Sequence, residues 1–311
     1  MWGILHWTLV ETAFVNCYQT NQLTQKVTHM TVSDLVVMMA LAMWTPSFRD
    51  VHFYVCHRMI HIRWLYKYIH SLHHRNIDVE PFSGLAMHPV EHLYYFTCYG
   101  PFLLSIVSQQ PYAPFLIFWM NFHTALSPAA AHSGWEDHFS ADLAHYLHHR
   151  YCDCNYGAAI NFDALFGTYQ SCIKGSDSYN NTVDPKQYNS KQQTISAELK
   201  QSSNTKAALG WMPENAKYQG SVVLLIAATL GAHCSSLISS TIAAILLTFG
   251  PAVSAFALAF MNRPASLPWR KAFLAPFDKD PLWSLILHFG LGIALGILPA
   301  TYLVYLVVND P

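Results

Sequence analysis

Three short stretches hold eight of the chain's eighteen histidines: His57 and His61, then His70, His73 and His74, then His145, His148 and His149. Their spacings are three or four residues throughout, which on a helix stacks side chains on one face about one turn apart. A lone helical histidine is an ordinary surface or core residue. Three clusters at helical spacing, in a chain with only 11% charged residues, ask for a common purpose. Neutral imidazole is the commonest protein ligand for transition metals, and eight rings are enough to hold two ions. One such site requires that all three clusters end on the same spot.

The order within each cluster sharpens this. His57-Arg-Met-Ile-His61 puts two imidazoles at i and i+4. His70-Ser-Leu-His73-His74 gives i, i+3 and i+4, so two rings share a face and the third is offset toward a second ion; His145-Tyr-Leu-His148-His149 repeats the pattern. The competing reading is a histidine-rich loop or zinc-binding transporter without redox chemistry. Such loops carry low-complexity repeats, whereas these histidines are interleaved with aromatics and branched aliphatics, as in packed helices. A transporter also wants polar ligands within its membrane segments, and Val32–Trp44 and Val90–Ala131 hold few. The seven cysteines are scattered, with no CxxC pair and an odd count, which argues against a disulfide framework. Cys152 and Cys154 read as ordinary thiols.

Bulk composition points to a membrane. Hydrophobic residues make up 52% of the chain and aromatics 14%. A formal charge of -1 implies no nucleic-acid partner. Trp2 to Val15 lacks a basic lead and carries Glu11, so an interfacial or partly inserted segment is expected rather than a signal peptide. Val32 to Trp44 is apolar, is interrupted by Pro46, and is expected to continue through Phe48 as a crossing that delivers His57 to one membrane face. Arg49, Arg58, Arg63, Lys67 and Arg75 make that face basic and place it in the cytosol. Between His88 and His132 lie 43 mostly apolar residues with a break at Gln109, Gln110, Pro111 and Pro114. Each limb of about 19 residues, roughly 28 Å as helix, matches the hydrocarbon thickness. A helical hairpin results, and it returns the chain to the face it left.

The fold class expected is therefore all-α: a polytopic transmembrane helical protein with a cytosolic, histidine-rich helical cap holding a dimetal site. Residues 1–47 are read as N-terminal membrane segments and 48–174 as the catalytic domain with its membrane hairpin. Residues 175–218 read as a polar cytosolic linker and 219–311 as a C-terminal transmembrane extension. The sequon Asn180-Asn181-Thr182 falls in the linker and is expected to stay unmodified on the cytosolic side.

The motifs together resemble the fatty acid hydroxylase (sterol desaturase) superfamily. The matching stretches are Phe53-Tyr54 before His57-Arg58, Tyr66-Lys67-Tyr68-Ile69-His70, Met87-His88-Pro89-Val90-Glu91, His132-Ser133-Gly134-Trp135-Glu136, Asn155-Tyr156-Gly157 and the run from Asp163 to Phe166-Gly167-Thr168. The resemblance covers roughly residues 48 to 170. It implies a membrane-bound non-haem diiron oxygenase that hydroxylates or desaturates a lipid. A sterol is the leading substrate, with fatty acids or sphingolipids as the alternative. By the same resemblance His57, His61, His70, His73, His74, His145, His148 and His149 are core ligands of two Fe ions, and His88 and His132 are further ligands.

Acids that accept the other ring N–H would orient these imidazoles. Glu91 and Asp163 are the candidates, with Asp137 and Asp142 also near. His52, His92, His123 and His138 are second-rank neighbours, while His6, His29, His233 and His288 lie outside the pattern. Tyr94, Tyr95, Phe96 and the Phe115–Trp119 run read as core or lipid-facing aromatics. No dinucleotide-binding glycine fingerprint is present. Electrons from NAD(P)H are therefore expected through a separate protein of cytochrome b5 or ferredoxin type. The expected location is the endoplasmic reticulum in a eukaryote or the inner membrane in a bacterium. Beyond residue 170 the chain has no metal-ligand pattern, and the extension reads as structure or as a wall of the substrate channel.

Overall fold

The computed structural model describes residues 29–77, 79–107, 110–133, 141–170, 212–261, 274, 277 and 280–309, with isolated positions before residue 20. Every element among them is helical. The Trp2–Val15 segment apart from those isolated positions, the sequon, Asp137, His138 and the Asp142 side chain lie outside the described residues.

Helix α1 (Val32–Ile60) begins at a capping box: the Thr31 side chain accepts the Asp34 N–H while Asp34 accepts the Thr31 N–H. It runs unbroken through Pro46 for 29 residues, roughly 44 Å. Its two halves differ. Val32, Val36 and Met43 are 80%, 62% and 77% exposed, whereas Tyr54 to Ile60 is buried throughout. The helix thus leaves an apolar-exposed zone and carries His57 and His61 into the interior.

A short helix α2 (Arg63–Tyr68) follows, and then a 3-10 turn, His70–Arg75, carries the second histidine cluster. The chain between His88 and His132 folds as two helical limbs, as expected, though neither is among the described helices long and apolar enough to cross a membrane. Its first limb is α3 (Pro89–Phe96), a 3-10 turn over Thr97–Tyr99 and α4 (Gly100–Val107). Its second limb is α5 (Ala113–Ala131). The first limb is interrupted because Pro101 has no N–H to give the Thr97 carbonyl. His88 caps the start of the hairpin and His132 its end, so both sit at the same mouth. Phe48 of α1 packs with Phe96, Phe102, Leu116 and Met120 to fix the hairpin against α1. Helix α6 (Ala141–Tyr151) brings the third cluster, and the one-turn α7 (Phe162–Leu165) closes the loop after it.

The C-terminal part comprises α8 (Met212–Cys234), α9 (Ser240–Met261), α10 (Leu282–Gly292), a π-helical turn over Ile293–Ile297 and α11 (Leu298–Asn309). The spans Ser240–Ala257 and Leu282–Tyr302 are long and apolar enough to cross a membrane, and only 22% of each is buried within the chain. A core helix of a soluble protein would be mostly covered. Leu224, Val253, Phe260, Ile286 and Leu298 are among the exposed apolar side chains, together with Phe118 of α5. So much unpartnered apolar surface marks contact with a nonaqueous neighbour.

The extension shares its core with the histidine-bearing part. Phe277 is fully buried with Tyr54, Met59 and Tyr156, and Val222 and Ala255 close over Tyr68 and Ile69. One expectation needs correction here. Arg49 and Arg58, counted as surface cations, are 8% and 0% exposed. Arg58 is consumed by an ion pair to Asp280 and Arg49 by bonds to the His123 carbonyl and the Tyr95 hydroxyl. Their charges are spent inside the fold, so only Arg63, Lys67 and Arg75 contribute to a basic face.

Candidate metal centre

The structure brings nine of the ten candidate histidines into two groups. His57, His61, His70, His74 and His148 form one; His73, His132, His145 and His149 form the other. All nine are buried, and within each group the ring nitrogens lie within 4.8 Å of one another. Each HxxHH stretch is shared between the groups in the same way. The i and i+4 rings go to one group and the i+3 ring to the other, so His70 and His74 are parted from His73, and His145 and His149 from His148. The first stretch does this on a 3-10 turn rather than an α-helix.

The His57–His70 contact is not a hydrogen bond, although its length would suggest one. His57 Nε2 lies 3.2 Å from His70 Nε2, and His70 Nε2 lies 3.0 Å from His74 Nε2. His148 Nε2 is 3.1 Å from both His61 and His74. In the second group His145 Nε2 is 2.8 Å from His132 Nε2 and 3.1 Å from His149 Nε2. The other side of several rings fixes where their protons are. His57 Nδ1 donates to the Tyr156 carbonyl at 2.7 Å, His148 Nδ1 to the Cys154 carbonyl at 2.7 Å, and His70 Nδ1 to Glu91 Oε1 at 2.6 Å. A neutral imidazole has a single ring proton, so the Nε2 of these three rings is a bare lone pair.

Burial keeps the rings neutral. It pushes His57 down to about 4, opposed by the Tyr156 carbonyl, and His132 also down to about 4. His61, His70, His73, His74, His145 and His148 are driven well below the ordinary imidazole value by burial first and neighbouring rings next. Lone pairs facing each other at 3 Å with no proton between them repel unless a cation lies among them. Metal–imidazole bonds of ~2.0–2.1 Å put neighbouring ligands roughly 3.0–3.4 Å apart, which suits the observed spacings. The donor set thus fits two transition-metal ions.

Glu91 reaches His70 from the first turn of α3, as its place three residues after His88 suggested. Asp163 acts differently from the expectation, since among the described residues it bonds to no histidine ring. Its carboxylate accepts the N–H groups of Tyr156 and Gly157 and the Thr168 hydroxyl. It therefore holds the loop whose Tyr156 carbonyl orients His57. Burial pushes the Asp163 carboxyl up, against the bonds from Thr168, Gly157 and Tyr156. Cys152 and Asn155 stand at positive φ, 61° and 52°, on either side of the inward carbonyl of Cys154. A Cβ on Gly157 would stand 3.0 Å from Asp163 Oδ2, so the close approach needs glycine.

Asp163→Ala leaves two buried N–H groups and a hydroxyl unpaired, which should cost about 2–4 kcal/mol. Thermal unfolding and metal content should fall together, and Asp163→Asn should recover part of both because it keeps one acceptor oxygen. Normal metal content in Asp163→Ala would show that the loop does not orient His57.

His88 stands outside both groups. Its Nδ1 accepts the Val90 N–H at 3.1 Å as the cap of α3. A neutral ring bonded this way carries its proton on Nε2 and has no lone pair left for a metal. His132, by contrast, enters the second group and is oriented by the Ser83 hydroxyl, 2.8 Å from Nδ1. His52 pairs with Thr97 and His92 with the Leu85 carbonyl. Sequence reading missed Ser83 and the carbonyls of Cys154 and Tyr156. A backbone carbonyl leaves no residue signature, although the Asn155-Tyr156-Gly157 motif marks the turn. His288, outside the repeated spacing and expected as an interfacial or packing residue, is 1% exposed, with Nε2 3.4 Å from Arg58. A cavity of about 80 Å³ reaches both groups, touching His57, His70, His73, His132 and His145.

The sequence profile of the fatty acid hydroxylase family matches residues 41–168. A Delta(7)-sterol 5(6)-desaturase of Gibberella zeae is 31% identical over 132 residues, which is 40% of each chain. The corresponding enzyme of Candida albicans is 29% identical over 124 residues, 40% of this chain and 32% of its own. A fatty acid hydroxylase of Mycosarcoma maydis is 33% identical over 122 residues, 38% of this chain and 30% of its own. The matched stretch therefore spans two fifths or less of the length of these relatives. No solved structure matches the chain. The matched stretch contains all nine clustered histidines together with Glu91 and Asp163, so the part of the chain that is similar to the fatty acid hydroxylase family is the part that carries the candidate metal centre.

Proposed function

We propose that the chain is a membrane-bound lipid oxidoreductase that uses dioxygen to hydroxylate or desaturate its substrate, with a sterol first among candidates. The observation that carries this reading is the convergence of nine buried imidazoles in two groups, among which His57, His70 and His148 turn bare Nε2 atoms to their neighbours at 3.0–3.2 Å. Two irons are the proposed occupants, held by His57, His61, His70, His74 and His148 on one side and His73, His132, His145 and His149 on the other. An all-imidazole set suits several transition metals; the family match favours iron. Bound iron would supply the dioxygen chemistry that amino-acid side chains lack.

The chain's own residues supply the rest. Glu91, Ser83 and the carbonyls of Cys154 and Tyr156 hold ring orientation and tautomer, and burial keeps the rings neutral. The sterol desaturases among the relatives favour a sterol, while the fatty acid hydroxylase keeps a fatty acyl lipid as the second reading. Hydroxylation and desaturation begin with the same hydrogen abstraction, so one site architecture serves both. In the proposed topology α1, the hairpin and the C-terminal helices cross the bilayer, and the histidine groups face the cytosol. Residues 175–218 link the catalytic part to the transmembrane extension. A cytosolic electron carrier of cytochrome b5 or ferredoxin type delivers reducing equivalents from NAD(P)H.

Lipid mass spectrometry of cells lacking the chain, compared with cells expressing it, tests the reading. A product with one added oxygen identifies a hydroxylase, and one lacking two hydrogens identifies a desaturase. An unchanged lipid profile, with no oxygen consumed by the reduced purified protein on lipid addition, would sink both. Iron analysis under anaerobic purification should give two ions per chain.

A further inference from the structure

A second cavity, about 270 Å³ and almost wholly apolar, lies between α2, α3, α9 and the α10–π segment. Eight of its eighteen lining residues, including Phe249, Ala252, Phe289 and Ile293, come from beyond the family match. Its size approaches that of ordinary small-molecule sites. It adjoins the metal-side cavity, because Ile60, Glu91 and Tyr94 line both. Glu91 turns one oxygen to His70 and leaves Oε2 buried without a partner. Tyr94 is wedged against Gly296 of the π-helical turn, where any Cβ would run into its ring. Such turns occur frequently at functional sites.

The chamber also contains Thr248, whose Oγ1 is buried with no hydrogen-bond partner. That is unusual within this chain. Thr45, Thr124, Ser254 and Thr301 each return their hydroxyl to the carbonyl four residues back, at 2.9, 2.9, 2.8 and 3.0 Å. This bond is how a helix hydroxyl in apolar surroundings satisfies itself. Thr248 sits in mid-helix and forgoes it. A buried donor left unpaired opposes folding, so a partner that arrives with a ligand would relieve the cost.

We propose that this chamber takes the apolar body of a hydroxyl-bearing lipid, with Thr248 Oγ1 hydrogen-bonded to the lipid oxygen. The C-terminal extension then selects which lipid is presented to the histidine groups through the boundary at Ile60, Glu91 and Tyr94. This rests on the lipid-oxidase reading but is tested without oxidation. The full chain in lipid nanodiscs, without reductant, is offered tritiated cholesterol or tritiated octadecanol. Unlabelled competitors are cholesterol against cholest-5-ene, and octadecanol against octadecane.

The hydroxylated member of at least one pair should compete about five- to tenfold better, as expected for one hydrogen bond. Which pair shows it separates a sterol from a linear alcohol. Thr248→Val should reduce that preference to near unity, Thr248→Ser should keep it, and Ala252→Trp should weaken both members by filling the chamber. Equal competition by hydroxylated and deoxy lipids in both pairs, or an unchanged preference in Thr248→Val, would overturn the proposal. Hydroxyl-selective binding in a chain that oxidises no lipid would overturn the enzymatic reading alone.

Discussion

His148→Ala should empty the first histidine group of metal and abolish lipid oxidation while leaving the chain in the membrane. His148 Nε2 lies 3.1 Å from both His61 and His74, and its Nδ1 is fixed on the Cys154 carbonyl. Removing it takes out the ring that links the first and second clusters. Groups that act as a unit lose activity together, so a fall of at least about a thousandfold is expected. His74→Ala combined with His148→Ala should be no worse than either alone. His88→Ala is the informative contrast. It should keep its metal and cost about 1 kcal/mol through the lost helix cap. His233, whose ring lies near the Ile238 carbonyl far from both groups, is the neutral control. Metal content by mass spectrometry and product formation are compared at equal amounts of inserted protein. Full activity in His148→Ala would remove the two-group assignment altogether.

The histidine centre was legible because spacing is a local property. Three- and four-residue intervals say which rings share a face, and the doubled HxxHH says that each cluster serves two groups. The hairpin was legible for a similar reason, since its length and central break show in the residues themselves. What the sequence hid is the set of contacts that act over long separations or through the backbone. Tyr156 and Cys154 act through their carbonyl oxygens, which every residue has. Asp163 stood close enough in sequence to suggest a ring partner, but it works one step away, through two N–H groups of the turn. Arg58 read as a surface cation because its neighbours are basic. Its real partner lies 222 residues on, and composition carries no trace of that pairing. His288 was expected only as an interfacial or packing residue, and its packing partner Arg58, brought to it by helix α10, is equally invisible in the sequence.

Asp280→Ala should be the most destabilising single change in the C-terminal extension. Arg58 is fully buried and gives one N–H to Asp280 Oδ1 at 2.7 Å and another to the Tyr54 hydroxyl at 3.1 Å. Its guanidinium carbon also lies 4.8 Å from the centre of the Phe277 ring. Ser284 donates to the other Asp280 oxygen at 2.6 Å, so the acid is held as firmly as the base. Deleting the carboxylate strands a buried cation, which typically costs about 3–5 kcal/mol. In a chain of this size that is an unfolding midpoint lower by roughly 10 °C. Arg58 neighbours His57 on α1, so loosening it should also lower metal retention in the first group. The Arg58→Met, Asp280→Leu double variant removes both charges and should recover most of the stability, because a buried pair is worth little against well-packed apolar replacements. A midpoint within a degree or two of the wild type in Asp280→Ala would mean that the extension is held by its apolar core alone. A double variant as unstable as the single would instead show that packing around the pair, rather than its charge balance, ties the extension to the histidine centre.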